Sequence, residues 1–385
     1  MLKTTESQTL QTTSPDTDSQ SSTANHSESI KPTPSSLNPE RNIKRPINHT
    51  IKRLLIVTDA WQPQVNGVVR TLGNTRQHLS DMGVEVEMLT PLSFKTWPCP
   101  TYPEIRLSLT TSRRVQALIE QYNPDALHIA TEGPLGWAAR AAALRNGWAF
   151  TTAYHSRFPE YVKARVGVPL SWSYALFKKF HGPAKATMAP TPGIVHDLED
   201  RGFGHMVHWT RGVSHEIFYP RIDKPTRNKD NPVFLCVGRL AIEKNLDAFL
   251  KLDLPGQKWV AGVGPMQDTL KRKYPDTHFI GILPQDELAM LYSQADVFVF
   301  PSVTDTFGLV QVEAMACGLP VAAFPVHGPL DVVGDSGAGV LDHDLKQACL
   351  ACLDIDQSKP VTRAANFTWP IATGQFYGAL TWMRG

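Results

Sequence analysis

Beyond residue 50 the chain alternates two signatures, short unbroken apolar runs and longer stretches with an apolar residue every third or fourth position. "IKRLLIVTDA" (51–60) reads as a buried strand, followed by the loop "WQPQVNG" and the amphipathic stretch "GVVRTLGNTRQHLSDMG". "VEVEMLTP" predicts the next strand, then "SRRVQALIEQYNP" a helix, "DALHIATEG" a strand, "PLGWAARAAALRNG" a helix and "AFTTAYHS" a strand. At 232 the alternation begins again: "PVFLCVGRLA", "QKWVAGVGP", "THFIGILP" and "ADVFVF" as strands, with "KNLDAFLKL", "MQDTLKRKYP", "QDELAMLYSQ" and "LVQVEAMA" as helices. Apolar runs of strand length bounded by turns suit parallel strands covered on both faces. Alternation with helices predicts an α/β protein with two doubly wound parallel sheets. Such sheets take ligands at the carboxyl ends of their strands, so a substrate cleft between the two is expected.

The polar connector "RGVSHEIFYPRIDKPTRNKDNP" (211–232) marks the boundary, giving a first domain over 51–212 and a second over 213–365. Residues 366–385, with "NFTWPIATGQFYGALTWM", form a terminal helical segment. Residues 1–50 hold Ser, Thr, Gln, Asn and Pro without an aromatic residue, so they are expected to stay disordered: they bury too little to offset the entropy of ordering. Arg41, Lys44, Arg45, Lys52 and Arg53 at the end of that tail could touch anionic lipid or serve solubility alone.

Composition narrows the function classes. With 38 Lys and Arg against 36 acids and a net charge of +2, the chain lacks the footprint of a nucleic-acid binder. Its first residues lack a signal peptide's apolar core and no stretch approaches bilayer length, so a cytoplasmic location is expected. Five scattered cysteines argue against a disulfide framework, and Cys349 with Cys352 read as small apolar residues on a helix.

"PSVTDTFGLVQVEAMACG" (301–318) places Asp305 and Glu313 around a turn from strand to helix. A helix N-terminus offers unpaired backbone N–H groups and the positive end of the dipole, so an acid there is either a cap or a ligand contact. "VGRLAIEKN" (237–245) sets Gly238 and Arg239 just past a strand and Lys244 at the next helix, a pair of cations suited to a diphosphate or merely to the surface. "AGVGP" brings Gly262 and Gly264 to another strand end, where a missing side chain would let a ligand approach the backbone. In the first half, "QVNGVV" puts Gly67 at a helix start and "TTAYHSRFPEY" puts His155 beside Arg157 at a strand end. No Ser-His-Asp spacing, zinc signature or Walker sequence is present.

Taken in order, "NGV" (66–68), "YHSRFPEY" (154–161), "GRLAIEKN" (238–245), "GVGP" (262–265) and "DTFGLVQVEAMACGLPV" (305–321) resemble the retaining glycosyltransferases of family 4, with the GT-B fold of two Rossmann-like domains facing a central cleft. The nearest pattern is that of bacterial glycolipid and cell-envelope enzymes and of GDP-mannose-dependent mannosyltransferases. The resemblance implies a nucleotide-sugar donor, UDP- or GDP-linked, as substrate, with no cofactor and no obligatory metal. It implies that His155, Arg239, Lys244 and Asp305 carry the catalytic work, His155 by binding the sugar or supporting the reaction centre. Arg239 and Lys244 would neutralise the diphosphate, and Glu313 would bind the ribose. Asp305 stands where the family usually has Glu, one methylene longer, and would face the sugar. Gly67, Gly238, Gly262, Gly264 and the backbone of Phe307, Gly308 and Leu309 would line the donor, with Leu283 in "GILP" near the base. The terminal segment would cross back onto the first domain. A nucleotide-sugar epimerase and a noncatalytic carbohydrate-binding module are the alternatives; intact Arg239, Lys244 and Glu313 speak against the second.

Between Arg157 and His196 a single acid, Glu160, faces six cations interleaved with Phe158, Tyr161, Trp172, Tyr174, Phe177 and Phe180. Cations mixed with aromatics suit anionic headgroups, and equally a solvated helix with its rings in the core. Asn66, Arg157, Tyr161, Lys163, Arg165, Trp172, Lys178 and Lys179 are therefore expected on the acceptor and membrane side. A lipid or glycan acceptor and peripheral contact with the inner face of the membrane are the expected partners.

Overall fold

The computed structural model describes residues 50–64, 66–99, 102–221 and 230–384. The polar stretch 1–49, with Arg41, Lys44 and Arg45, lies outside them, as do residues 222–229 of the connector.

The first half runs β1 (Arg53–Val57), α1 (Gly67–Asp81), β2 (Glu85–Leu89), β3 (Thr96–Cys99), β4 (Tyr102–Ser108), α2 (Ser112–Tyr122), β5 (Ala126–Ile129), α3 (Pro134–Arg145), β6 (Thr151–Ala153), α4 (Phe158–Val166), α5 (Leu170–His181), β7 (Ala186–Ala189), α6 (Pro192–Asp200) and β8 (Met206–His208). The second runs β9 (Val233–Val237), α7 (Leu246–Leu250), β10 (Gln257–Ala261), α8 (Gln267–Lys273), β11 (His278–Gly281), α9 (Gln285–Gln294), β12 (Val297–Phe300), α10 (Leu309–Ala316), β13 (Val321–Ala323), α11 (Pro329–Val332), β14 (Gly339–Leu341), α12 (Leu345–Cys352), α13 (Ser358–Ala364) and α14 (Trp369–Ala379).

Two six-stranded sheets result, ordered β2-β1-β5-β6-β7-β8 and β11-β10-β9-β12-β13-β14, with parallel pairings throughout. The expected α/β architecture of two doubly wound sheets is therefore present. Val297–Phe300 is buried at every position because helices cover both faces of its sheet. The short antiparallel hairpin of β3 and β4 has no counterpart in the expectations, although "EIRLSL" (104–109) in and just after β4 alternates polar and apolar residues at the period of a strand.

Topology makes the cleft. After β9 the chain builds β10 and β11 on one side, then returns to place β12 on the other. The helices that follow β9 and β12 pack on opposite faces, α7 through Leu246 and Phe249 in one core cluster and α10 through Val312 and Met315 in another. Loops diverging in this way open a crevice at the carboxyl ends of β9 and β12. In the first sheet the same split separates β1 from β5, with α1 and α3 in different clusters.

The chain ends against the first sheet. Phe376 of α14 joins the cluster of Leu54, Ile56 and Leu72, and the Tyr377 hydroxyl donates to the Ile51 carbonyl at 3.1 Å. Cys349 and Cys352 are both buried and unbridged in the core beneath α12.

Candidate functional site

Four chain segments converge where the two sheets face each other: the loops after β9 and β12, the start of α1 and the end of β6. The β12 loop reaches α10 through Gly308, whose φ of 78° only glycine adopts without strain. An added Cβ there would lie 2.7 Å from both the Phe300 ring and the Gln311 side chain, which itself donates to the Phe307 carbonyl at 2.7 Å. That turn delivers the first backbone N–H groups of α10 to the crevice, groups that the helix itself leaves unbonded. The Phe307 ring is buried against Phe367, with centroids 5.6 Å apart, so only its backbone belongs to the crevice.

The loops after β9 and β12 are stitched together. Ser302 and Thr304 hydroxyls donate to the Glu243 carbonyl, and the Asn245 amide donates to the Pro301 carbonyl at 3.0 Å. This brings Lys244 onto Asp305 with Nζ 2.6 and 2.8 Å from the two carboxylate oxygens. Burial opposes the ammonium charge, but Asp305 and Tyr161 beside it hold Lys244 above the ordinary lysine range. Two residues expected to act on different parts of a ligand are thus a pair. Arg239 follows Gly238 at the end of β9, half-buried, and a Cβ on Gly238 would meet nothing within 4 Å.

Glu313 is not on a solvated helix face. It is 2% exposed, bonded at 2.6 Å to Arg70 Nη2 from the first sheet's α1, and it accepts from the Tyr292 hydroxyl at 3.3 Å. Burial first and then the Glu313 carboxylate push the Tyr292 hydroxyl well above its usual range, keeping it a donor. Arg70, which the sequence reading passed over, lies one turn past Gly67 on the same end of α1, a spacing that could have flagged it. Gly67 itself faces the second sheet: a Cβ there would sit 3.7 Å from Leu309 Cδ1. Thr306 in the β12 loop donates to the His155 carbonyl at 2.6 Å, and Asp331 accepts from the Gly193 N–H at 3.0 Å, so further bonds span the cleft.

Several expectations need correction. The open backbone foreseen at "AGVGP" is occupied by protein: a Cβ on Gly262 would fall 1.9 Å from the Gly238 carbonyl oxygen, and one on Gly264 2.4 Å from that of Leu240. These glycines let two turns stack, and so shape the crevice without leaving room over themselves. The Leu283 side chain packs partly against the second sheet's core, which does not touch the expectation placed on its backbone. Asn66 is the N-cap of α1, its Oδ1 accepting from Val68 and Val69 N–H at 3.0 Å, in place of an acceptor contact. Arg157 is paired with Glu160 at 3.6 Å and Asp197 at 3.0 Å, and is no open cation for a membrane. Tyr161 turns into the cleft toward Thr304, Lys244 and Asp305; burial first, then Asp305, push its hydroxyl up to about 12. Tyr174, Phe177 and Phe180 are core residues, as the blander reading of the aromatic pattern had it. What does face outward is Trp172, 73% exposed, with Leu176 and Phe158 and with Lys163, Lys178 and Lys179. The Arg165 side chain lies outside the described residues.

Comparison with known proteins agrees with this architecture. The profile Glycosyltransferase Family 4 matches residues 65–217, and Glycosyl transferases group 1 matches residues 220–345. The chain is 30% identical over 307 residues to the sulfoquinovosyl transferase of Arabidopsis thaliana, covering 71% of this chain and 60% of that protein's length. It is 27% identical to a GDP-mannose-dependent alpha-mannosyltransferase of Mycobacterium tuberculosis, over 86% of this chain and 97% of the other. Among solved structures, the sucrose-phosphate synthase of Thermosynechococcus elongatus superposes with a TM-score of 0.69 at 22% identity, covering 84% of this chain and 97% of that one.

Proposed function

We propose, from the premise that this chain belongs to the family 4 glycosyltransferases with the GT-B fold, that it moves a hexose from a UDP- or GDP-linked donor to a lipid or cell-envelope glycan acceptor. The observation that carries this reading is the meeting of the Lys244 and Asp305 pair, the α10 N-terminus and Glu313 in one crevice facing a second sheet, with Arg239 on the same β9 loop as Lys244. Cleaving a bond between sugar and diphosphate builds negative charge on the leaving group. Arg239 and Lys244 compensate it as fixed cations, and the N–H groups at α10 add oriented dipoles. Asp305 accepts from sugar hydroxyls while remaining the counter-charge that holds Lys244 in place. Glu313 keeps lone-pair positions beyond those used by Arg70 and Tyr292, enough for ribose hydroxyls.

The reading includes transfer with retention and without a metal ion, the acceptor hydroxyl attacking on the leaving-group face with a phosphate oxygen as base. The experiment is turnover of UDP- and GDP-hexoses with an acceptor lipid extract, with and without EDTA, followed by NMR of the product's anomeric carbon. Nucleoside diphosphate released only with acceptor present, insensitivity to chelation and a retained anomer are expected. An inverted product, or a rate that collapses on chelation, defeats the corresponding part. Relatives named alpha-monoglucosyldiacylglycerol synthase support a lipid acceptor.

The acceptor side is read as the face that touches the inner leaflet of the cell membrane. Trp172, Leu176 and Phe158 stand out from the surface, and Lys178 and Lys179 line an open depression of about 520 Å³ beside them, whose wall includes Arg201, already paired with Asp197 at 3.1 Å. Apolar side chains that insert next to cations that meet headgroups form a peripheral binding surface. Flotation with anionic vesicles should lift the wild-type chain and leave a Trp172→Ser, Lys178→Glu, Lys179→Glu variant at the bottom. Equal behaviour of the two proteins would remove this surface from the reading.

A further inference from the structure

One buried charge is left over by the chemistry above. Arg211 lies where the chain leaves the first sheet, is 3% exposed and, among the described residues, pairs with no carboxylate. Its Nη1 donates to the Trp209 carbonyl at 2.5 Å and the Thr210 carbonyl at 3.0 Å, and its carbon sits 4.1 Å from the Trp209 ring centroid. Its Nη2 lies 3.3 Å from Nδ1 of His155. Burial pushes the guanidinium down to about 9, which still leaves it charged at neutral pH. Sequestering a cation in this way is costly unless the neighbours it bonds need it.

The neighbour that needs it is His155. A guanidinium has only donors, so the nitrogen it faces must present a lone pair, and the single ring proton of a neutral imidazole is then on Nε2. The ring is pinned edge-on to Trp209 at 5.6 Å, and the His155 carbonyl is held from the opposite sheet by Thr306. Nε2 is buried and, among the described residues, has no hydrogen-bond partner. Buried N–H groups are seldom left unbonded, and this one stands at the end of β6, on the cleft between the sheets. A second proton is resisted from every side. Burial is the largest factor, followed by Arg211 on the connector, His128 on β5 and His181 on α5, the last bonded to Glu132 at 3.2 Å. The imidazole is therefore held in its neutral form near neutrality.

We propose that Arg211 is a positioning residue: its guanidinium fixes His155, which the family resemblance already sets at the donor sugar or the reaction centre, as the neutral tautomer protonated at Nε2. The tautomer is a property of the protein alone, so it is tested without substrate and independently of the proposed function.

Histidine labelled with 15N reports its tautomer directly, and His155→Gln identifies the His155 signals by their loss. In the wild-type protein without substrate, long-range 1H–15N spectra at pH 7 should show a pyrrole-type Nε2 and a pyridine-type Nδ1. In Arg211→Met the two nitrogens should move toward the averaged shifts of a tautomer mixture, and in Arg211→Lys, which retains a donor, they should stay close to wild type. A wild-type His155 protonated on Nδ1, or on both nitrogens, overturns the positioning role whatever the enzyme's substrate is. The wild-type pH profile of kcat/KM should carry no His155 inflection between about pH 5 and 8.

Discussion

Replacing Arg239 and Lys244 together by Ala is expected to lower kcat/KM for the nucleotide sugar by at least about 10³-fold, with the protein still folded. Removing a single preorganised donor from a developing anion typically costs about 10²–10³-fold, and under the proposed function the leaving diphosphate loses two cationic side chains at once. The single variants should differ. Lys244→Ala does more than delete a cation, because it strips Asp305, 15% exposed in side chain, of its bidentate partner and leaves a bare carboxylate beside the phosphates. Lys244→Ala should therefore be the worse of the two, and Lys244→Ala with Asp305→Asn should regain melting temperature without regaining rate. Steady-state kinetics, with folding checked by circular dichroism, decide the matter. Turnover undiminished in the double Ala variant would take away the charge-compensation account.

The second large effect is expected at Glu313. Glu313→Gln keeps the shape but removes the charge facing Arg70 at 2.6 Å. Breaking a wholly buried pair costs about 3–5 kcal/mol; the loss here should be smaller because Arg70 is 28% exposed in side chain and its freed charge can reach water. The KM for the donor should rise about 10–100-fold, since a carboxylate bonded to ribose hydroxyls is a charge-assisted acceptor. Arg70→Met combined with Glu313→Gln separates the two contributions. Stability should recover in part because no unpaired charge remains, while donor affinity should stay low. Urea unfolding and donor titration read the two quantities independently; recovery of both together would make Glu313 a structural residue only.

Local sequence settled a good deal. The apolar runs that became β1, β5, β9 and β12 are legible because a parallel strand covered on both faces needs side chains that tolerate burial everywhere. The start of α10 was legible because Gly308 and the acids around it mark a strand-to-helix turn. From these alone follow two doubly wound sheets and a crevice at their strand ends. Local pattern could not reveal which charge meets which. Lys244 with Asp305, Arg70 with Glu313, and Arg211 with His155 are separated by 61, 243 and 56 positions. Arg70 with Glu313 depends on how one sheet is set against the other, whereas Lys244 with Asp305 and Arg211 with His155 depend on which strand ends each sheet's order brings together, and no short stretch of residues encodes either. The same holds for the aromatics of α5: their spacing allowed either face, and the protein core took Tyr174, Phe177 and Phe180 while leaving Trp172 to the outside, because burial of a ring is decided by the neighbours that the fold supplies.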